Sequence, residues 1–123
     1  MKKFEYPLVL YPLSLVVIVE PNIQYICDTY NDIEGNSISD LEDVDSSDAF
    51  TFICQNKKTH KTKVVICFST KKKITYSITA HEAVHAAKEI FEYIHADINP
   101  HEPFEYLVGY IANCCYKSLL KLK

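Results

Sequence analysis

Apolar positions along the chain fall into blocks whose spacing separates strands from helices. LSLVVIV at 13–19 is a continuous β-branched run and predicts a buried strand. After Pro21, which suits a first helical turn, Ile23, Ile26, Tyr30 and Ile33 recur at 3, 4 and 3 and predict a helical face closed by Gly35. AFTFICQ (49–55) and KVVICFS (63–69) read as two strands joined by a basic hairpin turn, NKKTHKTK. From about Thr75 to His95 a helix is predicted. Its apolar stripe is Ala80, Val84, Ala87, Phe91 and Ile94, and Thr75 or Ser77 is its cap. DINPH breaks it, because the residue before Pro100 is pushed away from helical geometry. A last helix starts near Glu102–Pro103 and runs to about Leu120, burying Phe104, Leu107, Val108, Ile111, Cys115 and Leu119.

The predicted order is strand, helix, strand, strand, helix, helix. That is an α+β domain with a small, mostly antiparallel sheet and helices packed on it. With 123 residues the chain is expected to be a single domain, 1–123, with one modest core. Between 31 and 48 it turns polar and acidic and reads as a loop. DVDSSD there imitates a calcium loop, but Asp48 stands where glycine is needed and Cys54 where glutamate is needed.

Composition changes the picture in three places. A net charge of -3 gives no reason to expect nucleic acid, and the lysines around 57–73 read as solvated. Five cysteines form an odd set without Cys-x-x-Cys spacing, which predicts buried free thiols in a reducing compartment. The start, MKKFEYPLVLYPLSLVVIVEPN, superficially resembles an export signal. Glu5, Pro7 and Pro12 interrupt it, no small-x-small cleavage site follows, and 8–19 is too short to span a membrane. A cytoplasmic protein without a membrane partner is the expectation.

The candidate chemistry lies in ITAHEAVHAAKEIF, residues 78–91. His81 and His85 are one helical turn apart on one face, so two imidazoles can grip one tetrahedral ion, Zn2+ above all. Glu82 lies about 100° round the axis, where a carboxylate can take a proton from a water on the metal. The chance occurrence of His-Glu-x-x-His on a helix is the plain alternative, with the histidines as surface residues. A catalytic zinc takes three protein ligands. A third histidine further along the motif is excluded, since Lys88 and Phe91 stand at the glycine and histidine positions of that longer pattern. The remaining sources are Glu102, then Glu105, then His101. Glu102, Tyr106, Gly109 and Asn113 share a helical face by their 4, 3, 4 spacing. A mid-helix Gly109 costs about 1 kcal/mol against alanine, so a close approach of that face to the motif helix is expected. Tyr106 would then be placed to donate to an oxyanion, although a core aromatic fits the pattern as well.

HEAVH followed by a helix bearing Glu102 resembles the zincin metallopeptidases whose third ligand is a glutamate on the next helix. The longer stretch TAHEAVHAAKEIFEYI…EPFEYLVGYIANC also resembles small proteins encoded by tailed bacteriophages. The likeness covers about the last 50 residues closely and the earlier strands only in general order. It implies a minimal zincin-like domain with His81, His85 and Glu102 on zinc and Glu82 as general base. The implied function is a zinc-dependent hydrolase, a peptidase acting on a peptide or protein laid along a sheet edge, with the 63–69 strand as the edge considered. The chain lacks the large second lobe of full zincin peptidases, which implies a shallow cleft. The alternative is a non-catalytic accessory, virion or host-interaction protein with a phage or host protein as partner, in the host cytoplasm or the virion.

Overall fold

The computed structural model describes residues 1–38, 47–99 and 101–123; of His101 only the backbone is described. Residues 39–46 of the predicted acidic loop, and Pro100 of the predicted helix break, lie outside the described residues. The elements are β1 (Lys2–Pro7), β2 (Ser14–Val19), α1 (Ile23–Thr29), β3 (Tyr30–Asn31), β4 (Ala49–Asn56), β5 (Thr62–Phe68), α2 (Tyr76–Tyr93) and α3 (His101–Lys121). The protein is thus a small α+β structure with a five-stranded sheet in the order β1-β2-β5-β4-β3. Pairing is antiparallel except between β2 and β5, so the sheet is mixed.

Two strands, β1 and β3, are absent from the predicted order. β1 (KKFEYP) is exposed at alternate positions and carries two lysines, so it lacks the apolar run that marks the buried strands. β3 is two residues long and interrupts the expected first helix. That helix ends at Thr29, and Tyr30 leaves it to pair with Asn56. The periodicity through Ile33 therefore overran the helix. Gly35 serves a turn instead, at φ +90°, with its amide donating to the Asp32 carbonyl.

The continuous apolar runs of β2 and β5 follow from burial on both faces. Leu15, Val17, Val64, Ile66 and Phe68 face the α2–α3 layer. Val16, Ile18, Val65 and Cys67 face the other way and pack with Ile26 of α1 and Tyr30. β5 lies between β2 and β4, so the 63–69 strand is interior rather than an edge.

Thr75 caps α2, its hydroxyl accepting from the Ile78 amide. The buried face of α2 is Thr79, Glu82, Ala83, Ala86, Ala87, Ile90 and Phe91, and Ala80 is exposed. The expected stripe is thus rotated. Alanines at 80, 83, 86 and 87 offer several nearly equal apolar faces, and close packing on the sheet chose the one that takes Glu82 inward. Tyr76 meets Tyr116 with ring centroids 5.4 Å apart, and Phe91 meets Phe104 at the same separation, so α2 and α3 run antiparallel. Among the described residues no helix is long and apolar enough to cross a membrane. All five cysteines are free, and four of them are buried.

Candidate functional site

The first turns of α2 lie over the start of β4, and this crossing positions the motif. His81 and His85 stand at the exposed rim of the helix, with the His81 side chain 69% exposed. Their Nε2 atoms are 3.0 Å apart and their rings meet nearly edge to face. Two nitrogens bonded to one tetrahedral zinc stand about 3.3 Å apart, given Zn–N bonds near 2.0–2.1 Å. At 3.0 Å the two nitrogens are at hydrogen-bond distance, one imidazole donating to the other, and they stand slightly closer than a shared tetrahedral ion would hold them.

Glu82 is 6% exposed. Its Oε1 accepts a 2.8 Å hydrogen bond from the Thr51 hydroxyl on β4, and its Oε2 lies 3.9 Å from His81 Nε2. One carboxylate oxygen is anchored to the sheet and the other faces the histidine side. A shallow groove of about 220 Å³ opens here, lined by Asp48, Ala49, Ser77, Ile78, His81 and Glu82. Asp48 is paired to Lys73 at 3.2 Å across its rim.

Thr51 was not singled out by the sequence, yet a signal for it exists. Ala49 and Ile53 pack toward α2, while Phe50 and Phe52 pack toward α1. Thr51 is therefore a polar residue in an inward slot of a strand with period two. Glu89, one turn beyond His85, is half-buried. Burial raises its carboxyl above the usual range and nearby Glu92 adds to this, while His85 partly offsets it.

The structure does not bring the expected third ligand to this pair. Because the hairpin is antiparallel, Glu102 lies near the level of the end of α2. At 1.5 Å per residue that is about 15 Å along the axis from His81 and about 10 Å from His85. Among the described residues no group of three or more His, Cys, Asp and Glu side chains is placed to hold a metal. Glu102 and Glu105 are exposed, and the His101 side chain lies outside the described residues. The expected close approach at Gly109 is also corrected. A Cβ built there would meet nothing within 4 Å, and the face it shares with Glu102, Tyr106 and Asn113 points to water. Tyr106 is 75% exposed and lines a separate groove with Tyr11, Pro103 and Tyr110, so it is not gathered with the histidines.

Compared with protein-family models, curated proteins and solved structures, the chain matches none.

Proposed function

We propose that the start of α2 is a zinc site built on His81 and His85, and that the chain is a minimal metal-dependent hydrolase acting on peptides. The observation that carries this reading is the convergence of the two Nε2 atoms at 3.0 Å beside a nearly buried carboxylate oxygen 3.9 Å from one of them. The donor set fits as two of the three protein ligands that catalytic zinc takes. Zinc held there would supply Lewis-acid polarisation of a scissile carbonyl and of water.

The remaining chemistry belongs to the chain's own residues. Thr51 fixes one oxygen of Glu82, so the carboxylate presents Oε2 as the proton acceptor. Glu82 accepts a proton from the attacking water and returns it to the leaving amine. A peptide backbone would lie along β4, whose outer edge at 49–54 has no strand paired to it among the described residues; β3 covers only Gln55 and Asn56. This replaces the 63–69 strand as the edge and retains the zincin-like reading of the motif helix lying beside an edge strand.

Metal analysis of protein purified without chelator tests the reading. Wild type and Glu82→Gln should retain zinc, because Gln keeps an oxygen for the Thr51 hydroxyl, whereas His81→Ala and His85→Ala should lose it. Cleavage of a fluorescent peptide library by the zinc-loaded wild type should disappear in Glu82→Gln. Failure of the wild type to take up zinc overturns the site, and hydrolysis that persists in Glu82→Gln overturns the mechanism. Zinc bound without hydrolysis selects the non-catalytic module, a reading favoured by the two-histidine donor set lacking a third partner among the described residues.

A further inference from the structure

The opposite end of the helical hairpin carries an apolar surface that the proposed chemistry does not use. Between β1 and β2 the chain turns through Leu8–Leu13, and two consecutive aliphatic side chains stand out at the tip: Val9 is 89% exposed and Leu10 87%. Rigid Pro7 and Pro12 flank them. The tip forms one wall of a groove of about 580 Å³, with Val9 and Leu10 facing Pro103, Tyr106 and Tyr110 of α3 across it. The Tyr110 hydroxyl donates to the Pro7 carbonyl at 2.9 Å, which locks the turn against α3. An exposed apolar tip and the groove it walls thus share one surface.

Charges on the two sides of the tip have opposite sign. On the α3 side stand the exposed Glu102 and Glu105. On the other side, a cleft shared with Pro7, Pro12 and Leu13 is lined by Glu5, His60, Lys61 and Lys63, with Lys61 as its unpaired cation among the described residues. Lys63 is already paired with Glu5 at 2.8 Å, and Lys61 is exposed. We propose that this end is a two-fold interface between two copies of the chain, each tip seated in the other's groove and each acidic helix start facing the other's basic turn. In a two-fold contact the same patch must complement itself, and adjacent tip and groove with flanking charges of opposite sign meet that requirement.

Val9, Leu10 and Tyr106 are each at least three-quarters exposed and lie together, which sets them apart from the singly scattered apolar residues ordinary on a monomer's surface. An anionic lipid surface is disfavoured by Glu102 and Glu105 beside the tip and by the net charge of -3.

Sedimentation velocity of the full chain from about 5 to about 500 µM tests the proposal. The wild type should move from 14.2 kDa toward twice that mass as concentration rises. Leu10→Asp, with unchanged far-UV circular dichroism and melting temperature, should weaken association at least tenfold. Lys61→Glu should weaken it less, and adding Glu105→Lys should recover part of the loss. A wild type that stays monomeric over the whole range overturns the interface, as does a dimer indifferent to Leu10→Asp. Monomeric wild type that binds phosphatidylserine vesicles overturns it in favour of lipid, and capture of an unrelated protein by the monomer overturns it in favour of that partner. A dimer indifferent to Lys61→Glu overturns the facing of charges.

Discussion

The two ends of the α2–α3 hairpin treat polarity in opposite ways. At the start of α2 a carboxylate, Glu82, is nearly buried and tied to the sheet by Thr51. At the start of α3 and the β1–β2 turn, aliphatic and tyrosine side chains are exposed. Burying a carboxylate costs free energy that its hydrogen bond to Thr51 offsets in part, whereas the exposed leucine and valine contribute almost nothing to the stability of the single chain. The first is the carboxylate that the proposed hydrolysis would use as proton acceptor, and the second is the surface proposed as a contact between two copies.

The sharpest way to break this contrast compares two leucines five residues apart. Leu15→Ala, at a fully buried position of β2, should cost about 2–5 kcal/mol in urea denaturation of dilute monomer. Leu10→Ala at the tip should stay within about 0.5 kcal/mol. A large loss at Leu10 in the monomer would show that the tip packs within its own chain.

Alkali should attack the covered regions next. Burial pushes the Cys54 and Cys115 thiols up to about 12 and Cys67 further. In the unfolded chain these thiols lose protons near their ordinary value of 9.0. The unfolded state therefore binds fewer protons above that pH, and stability falls as pH rises from there through the folded values. The loss should be on the order of 1 kcal/mol per buried thiol by about pH 10, read as a falling melting temperature. A flat profile from about pH 8 to about pH 11 would contradict the burial of these groups.

Thr51→Val leaves the Glu82 carboxylate without its donor and should cost about 1–3 kcal/mol, while Thr51→Ser should restore most of it. A loss in Thr51→Ser with Thr51→Val close to wild type would assign the effect to packing of the threonine methyl rather than to its hydroxyl. The smallest effect belongs to the other end. Tyr110→Phe removes one half-exposed hydrogen bond to the Pro7 carbonyl and should cost about 0.5 kcal/mol.

Much of the fold was legible because it is local. β2, β4, β5, α2 and α3 each carry enough periodic apolar residues to reveal their type, and the observed limits lie within a few residues of the predicted ones. β1 and β3 were hidden because each is defined by its partner: β1 by the register Lys2–Pro7 against Val19–Ser14, and β3 by two residues paired to the end of β4. At the candidate site, the placement of His81 and His85 on one face followed from i, i+4 spacing alone. The inward turn of Glu82 and its bond to Thr51, 31 positions away in sequence, did not.

The sequence by itself determined the types of β2, β4, β5, α2 and α3, the shared face of the two histidines and the composition of the β1–β2 turn, because helical and extended backbones repeat over a few residues. The tertiary structure decided which side of α2 meets the sheet, which strand forms an edge and which ends of the two helices lie together. Those choices depend on packing between segments distant in sequence. Alanines spread round α2 left its rotation open until the sheet surface selected one face. The antiparallel return of α3 then placed Glu102 at the tip end, away from the histidine pair and next in sequence to Pro103 of the apolar groove.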